Sequence, residues 1–112
     1  MTDSRRFTTA TYRVAVERQE TFLELLKGAE KVMRQTELIT DRAALRMRSM
    51  EDLTLLLEIF EWADSGAFER AQKDPRILEW WGKFEAIWEE GGFGLSRFPE
   101  TNLPWAQFEP ID

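Results

Sequence analysis

Residues Leu53–Trp62 read LTLLLEIFEW, the most apolar run of strand character in the chain, yet it carries Glu58 and Glu61. A strand's period of two puts Leu53, Leu55, Leu57 and Ile59 on one face and Thr54, Leu56, Glu58, Phe60 and Trp62 on the other. The aliphatic face is expected to meet the core, which turns Glu58 away from it together with Phe60 and Trp62. A carboxylate entering a low-dielectric environment needs a cation or hydrogen-bond donors, or it takes up a proton. What meets Glu58 therefore bears on both the fold and the site. Glu61, one face over and near the strand end, reads as a solvated or capping residue.

Working outward, Ala43–Ser49 (AALRMRS) alternates Leu45 and Met47 with Arg46 and Arg48 and predicts a strand. Met50-Glu51-Asp52 joins it to Leu53–Trp62 as a hairpin. Upstream, Phe7–Val16 (FTTATYRVAV) is β-branched and aromatic, and predicts the first strand, with Tyr12, Val14 and Val16 on one face and Thr9, Thr11 and Arg13 on the other. Between these lies a helical period over Arg18–Gln35, with Phe22, Leu25, Leu26, Ala29, Val32 and Met33 on one side. Thr21 and Glu24 have the form of a capping box, and Gly28 inside the helix costs about 1 kcal/mol relative to Ala.

After the third strand, Ala63-Asp64-Ser65 supplies caps for a short helix over Gly66–Lys73. Asp74-Pro75 then starts another, with Asp at the N-cap and Pro at the first helical position. Its stripe is Ile77, Trp81, Phe84 and Trp88, ending at Gly91-Gly92. Phe93–Pro104 reads as a loop and Trp105–Ile111 as a last strand, with Pro110 at its end. The order is β-α-β-β-α-β. This is an α+β, ferredoxin-like arrangement in one domain over residues 1–112, its antiparallel sheet carrying both helices on one face.

With 112 residues, 43% apolar and 32% charged, the chain has the composition of an ordinary globular domain. No stretch approaches the roughly 18 apolar residues of a membrane span. MTDSRRF at the N-terminus has no apolar segment behind its arginines. A cytoplasmic location without a membrane partner is expected. The net charge of −6, with both signs interspersed, opposes nucleic-acid binding, which wants a basic face. There is no Cys and no His. Thiol nucleophiles, disulfides, Ser-His-Asp chemistry and the usual zinc, copper and haem ligands are thereby excluded. Carboxylates alone suit Mg²⁺ or Ca²⁺, but no aspartate-rich loop of the EF-hand type is present, and no metal or cofactor is expected.

Two helices cover one face of a sheet, and the other face, carrying Leu56, Phe60 and Trp62 on this reading, needs a partner surface. A second copy is the economical solution, giving a homodimer. Arg13, Arg46 and Arg48 are expected to share that face with Glu58. Three readings stand side by side. The arginines and Glu58 form a salt-bridge network fixing register and dimer geometry, or surplus arginine charge binds an anionic or phenolate group beside Glu58, or Glu58 is a general base. The catalytic candidates are Glu58 and Arg13. The ligand-binding candidates are Arg13, Arg46, Glu58, Phe60, Trp62, Trp81 and Trp88. The aromatic residues, Phe68 and Phe84 among them, read equally as core or as the wall of a pocket. Tyr12 either packs under the first helix or donates to a bound oxygen atom, and Asn102 and Gln107 have no partner assignable from spacing.

EIFEW at Glu58–Trp62, AQKDPRILEWWGKFEAI at Ala71–Ile87 and FEP at Phe108–Pro110 resemble the dimeric α+β barrel superfamily, and within it small proteins related to antibiotic-biosynthesis monooxygenases. The resemblance runs from the strand at Phe7 to that at Phe108. It implies a homodimer whose sheets face one another and, in many members, a ligand cavity between sheet and helices. Members include cofactor-free oxygenases acting on polycyclic phenols and haem-degrading enzymes. Gln72 stands where such relatives often carry a histidine, and a chain without histidine lacks the ligand of the haem-degrading branch. The resemblance thus implies a cofactor-independent monooxygenase acting on a small aromatic or polyketide-like compound. A non-catalytic homodimeric ligand-binding or accessory protein is the alternative.

Overall fold

The computed structural model describes residues 5–87, 95–96 and 107–111. Strand β1 (Arg6–Arg13) leads into helix α1 (Gln19–Gln35), and the hairpin of β2 (Leu45–Arg48) and β3 (Leu55–Trp62) follows. Helices α2 (Ala67–Lys73) and α3 (Pro75–Glu85) come next, then two short strands, β4 (Leu95–Ser96) and β5 (Gln107–Phe108). The sheet runs β2-β3-β1-β4, with β5 also on β1, and every pairing is antiparallel. This is the ferredoxin-like arrangement expected from the element order. No described helix is long and apolar enough to cross a membrane.

Element boundaries follow local chemistry. The first strand stops at Arg13 rather than Val16, because Val16–Arg18 form a single 3-10 turn leading into α1. Thr21 lies inside α1, so the Thr21–Glu24 capping box does not form, and Arg18 at the N-cap makes no side-chain capping bond. Gln19 ties the helix start down instead, donating from Nε2 to the Val14 carbonyl at 3.0 Å. Asp74 caps α3 as its sequence predicts, accepting from the Arg76 amide at 2.9 Å, with Pro75 beside it. Gly28 has a steric reason: a Cβ there would run into the indole of Trp80.

The stretch expected to be a loop contains β4. Leu95 pairs with Tyr12 and Ser96 with Thr11, while Gln107 pairs with Thr8 and Phe108 with Phe7. Two short segments thus share one edge of β1. Trp105, Gly91-Gly92 and Asn102 lie outside the described residues.

The faces of β2 and β3 are the reverse of the expectation, whereas β1 faces as expected, with Tyr12 toward the helices and Arg13 away from them. Phe60 pairs with Thr8, Glu58 with Ala10 and Leu56 with Tyr12, so these side chains share a face. That face is the one the helices cover. Ala10, Tyr12 and Val14 pack with Phe22, Leu26 and Phe84 in one buried cluster. Phe60 and Trp62 pack with Met33, Ile77 and Ala71 in another. The physical reason is volume: Thr8 and Ala10 are small, and leave space under the helices for Phe60 and Trp62. The aliphatic set Leu55, Leu57 and Ile59 faces the other way with Leu45 and Met47, which are 60% and 47% exposed. An apolar uncovered face therefore exists, but it carries leucines, isoleucine and methionine, not Leu56, Phe60 and Trp62.

Candidate functional site

The centre of the helix-covered face is a chain of ionisable groups. Tyr12 donates its hydroxyl to Glu58 Oε1 at 3.3 Å, and Arg46 Nε donates to Glu58 Oε2 at 3.0 Å. Register explains the convergence, since Arg46 on β2 and Ala10 on β1 flank Glu58 directly. The other arm of Arg46 engages Glu30 Oε1 on α1. Glu30 Oε2 accepts from Arg34 at 2.7 Å and from the Ala44 amide at 3.2 Å. The side chains of Glu58 and Arg46 are 9% and 17% exposed, which makes this a largely desolvated pair.

Burial sets the electrostatics. It pushes the Glu58 carboxyl above the ordinary glutamate value, against the opposing pull of Arg46 and Tyr12. Burial and the adjacent Glu58 carry the Tyr12 phenol well above its usual value, so Tyr12 is a neutral donor. Burial works against Glu30 too, but hydrogen bonds from Arg34, Arg46 and the Ala44 amide outweigh it and leave Glu30 below the usual range. Arg46 loses solvation, yet Glu30 and Glu58 raise its affinity for its proton.

Beside this chain opens a groove of about 360 Å³ between the start of α1 and the β2–β3 hairpin, within the usual size range of small-ligand sites. Leu23, Leu26 and Leu56 give it apolar walls, Tyr12 and Glu58 reach its floor, and Arg46, Arg48, Gln19 and Glu20 line it as well. Arg48 donates to Gln19 Oε1 at 3.3 Å across it. The arrangement presents, to an apolar body, a carboxyl of raised proton affinity, a phenol and guanidinium groups. It can orient a bound oxygen atom, and it can accept a proton. Among the described residues no three acidic side chains converge as a metal site.

The structure brings Arg46 and Glu58 together at the groove. It gathers Glu58, Phe60, Trp62 and Trp81 around a smaller inner cavity between sheet and helices. Trp62 is 2% exposed, and its Nε1 donates to Thr8 Oγ1 at 2.7 Å, so its polar handle is already engaged. Arg13 is separate. It alternates to the opposite face from Tyr12, where it holds Asp52 Oδ2 at 2.7 Å and Thr54 Oγ1 at 2.8 Å. The face expected to be shared by Arg13, Arg46, Arg48 and Glu58 is thus split, with Arg13 on the far side. Trp88 lies outside the described residues.

Glu61 is not solvated: it is buried on the far face and accepts from Thr40 Oγ1 at 2.8 Å and Arg42 Nε at 3.2 Å. Gln19, Leu23 and Glu30 are the residues sequence reasoning passed over. For Glu30 a signal was present, since it falls four residues after Leu26 and three before Met33, on the buried stripe of α1.

No protein-family model and no curated protein matches the sequence. Solved structures do match in shape. SnoaB, a cofactor-independent oxygenase from Streptomyces nogalater, superposes with a TM-score of 0.72 at 13% identity, over 98% of this chain and 96% of SnoaB. The fold is that of the antibiotic-biosynthesis-monooxygenase-like proteins. A candidate antibiotic biosynthesis monooxygenase from Bordetella bronchiseptica gives 0.73 at 11% identity, over 97% of this chain and 99% of its own. A protein from Bacteroides thetaiotaomicron described as a possible oxidoreductase gives 0.68 at 13% identity, over 96% and 98%.

Proposed function

We propose that the chain is a homodimeric, cofactor-independent monooxygenase-like protein that takes a small aromatic or polyketide-like compound into the groove between α1 and the β2–β3 hairpin. The observation that carries the reading is the meeting of apolar groove walls with a buried carboxyl held by Tyr12 and Arg46. Glu58, with its raised proton affinity, accepts a proton from an acidic O–H or C–H of the bound compound, and Arg48 faces the anion so formed. An electron-rich carbanion or phenolate reacts with dioxygen by its own reducing power. For a methylene oxidised to a carbonyl, one oxygen atom ends on carbon and the other leaves as water with the two hydrogens. The fold shared with SnoaB, itself described as a cofactor-independent oxygenase, is consistent with this chemistry. The cytoplasmic location expected from the sequence belongs to the same reading.

Oxygen uptake with a panel of hydroquinones and anthrones tests it. Uptake is expected with the native chain and its loss in Glu58→Gln, with the fold retained. No uptake across the panel would shift the assignment to the alternative, a non-catalytic homodimer. Two observations favour that alternative: the inner cavity, at about 30 Å³, has no room for an aromatic ring, and Arg46 is already paired on both arms.

A further inference from the structure

The inner cavity carries an inference of its own. It lies between the sheet and the helices, measures about 30 Å³, and is walled largely by apolar side chains, Ala29, Met33, Ile39 and Ile77 among them. Tyr12, Leu26 and Glu58 line both this cavity and the groove, so one layer of side chains separates the two. Its volume suits one or two water-sized molecules.

Water is a poor occupant, because a buried water normally makes two to four hydrogen bonds. Polar groups that reach the cavity are few: the Tyr12 hydroxyl is donated to Glu58, and Glu58 and Glu30 are held by Arg46, Arg34 and the Ala44 amide. A water there would find spare carboxylate lone pairs but an otherwise chiefly apolar wall. Among the described residues, the buried side-chain nitrogens and oxygens without a partner are Arg6 Nε and Thr9 Oγ1, and neither residue lines this space. A dry apolar cavity is a site for a small apolar molecule. We propose that it binds dioxygen, held one side-chain layer from the groove. Its service as a store of co-substrate rests on the oxygenase reading above; the gas binding itself does not.

Methyl-resolved NMR of the full chain under xenon, repeated with dissolved dioxygen as relaxation agent, tests the proposal. Saturable xenon shifts are expected at the methyls of Ala29, Met33, Ile39 and Ile77. Dioxygen should relax the same methyls more strongly than the exposed methyls of Met50 and Ile111. Ala29→Leu, which fills the space, should abolish both effects, and Ile77→Ala, which enlarges it, should strengthen the xenon response. Absent shifts in both the native chain and Ile77→Ala would overturn the site, as would water-to-methyl cross-relaxation marking it as wet. Xenon binding without oxygen uptake would keep the gas site and remove the oxygenase reading, while uptake without cavity shifts would do the opposite.

Discussion

Arg46 bridges two carboxylates from different layers of the fold, reaching Glu58 on the sheet at 3.0 Å through Nε and Glu30 on α1 through its other arm. One guanidinium thereby fixes how the first helix lies on the edge of the sheet and what charge the groove floor carries.

Removing that guanidinium leaves Glu58 buried without a cation, while Glu30 keeps Arg34 and the Ala44 amide. Breaking a buried pair from one side costs about 3–5 kcal/mol, because the remaining charge is uncompensated. Arg46→Met is expected to lose stability in this range by urea unfolding, at unchanged denaturant dependence. Pairing it with Glu58→Leu should recover part of the loss, since the second change removes the orphaned charge. A single variant within about 0.5 kcal/mol of the native chain, the range usual for inconsequential surface changes, would mean that the network contributes little.

Glu58 also predicts a pH dependence of defined sign. Its folded-state proton affinity is raised by burial above the ordinary value of 4.5, so between those two values the native chain binds more protons than the unfolded one. Stability therefore falls as pH rises from about 4.5 through the folded pKa, and is fully favoured only below the ordinary value. Asp52 works the other way. Hydrogen bonds from Thr54 and Arg13 lower it to about 2 from 3.8, and its contribution is lost as pH falls through that window. The native chain should show a stability maximum near the ordinary carboxylate range and a decline toward neutrality. In Glu58→Gln the neutral-side decline should flatten while the acid-side loss remains. Thermal unfolding across pH 2 to 8 reads both limbs, and an unchanged neutral-side slope would exclude Glu58 as its source.

Gly28 offers a test in which two effects oppose. Alanine in a helix interior gains about 1 kcal/mol over glycine, but its Cβ would meet the ring of Trp80, and overpacking typically costs about 1–3 kcal/mol. Trp80 is further held under Lys83, whose Nζ lies 4.2 Å from the ring centroid. Gly28→Ala alone is expected to be neutral to destabilising. In a Trp80→Leu background the same change should stabilise by about 1 kcal/mol. A double-mutant cycle in chemical denaturation measures the coupling, and full additivity would mean that the ring moves aside freely.

Apart from β4, which lies in a stretch read as a loop, the element order, the Asp74-Pro75 helix start and the need of Glu58 for a guanidinium and a donor were legible in the sequence. Local chemistry determines each of them. The face of β3 was not, because a leucine-rich face and a face with Phe60 and Trp62 are both credible cores. Only the pairing with Thr8, Ala10 and Tyr12 decides between them. With a side-chain period of two, that single long-range fact reverses the facing of β2 and β3 while β1 stays as expected, and so separates Arg13 from Arg46. The groove was illegible for a related reason: it is lined by Leu23 on α1 and Leu56 on β3, residues far apart in the chain whose shared placement no local pattern encodes.

The corrected facing sharpens the case for a homodimer and says where to break it. The uncovered face presents Leu45, Met47, Leu57 and Ile59 in adjacent register rows, and contiguous apolar surface of this kind marks an interaction site. A charge on it should oppose association without touching the helix-covered core, since Met47 is already 47% exposed in the single chain. Native mass spectrometry at micromolar concentration is expected to show a dimer for the native chain and a monomer for Met47→Glu, with unchanged far-ultraviolet circular dichroism. Phe60→Leu, on the other face, should leave the dimer intact. A native chain that is monomeric under these conditions would sink the facing-sheet dimer. A dimer that survives Met47→Glu would move the interface elsewhere on the surface.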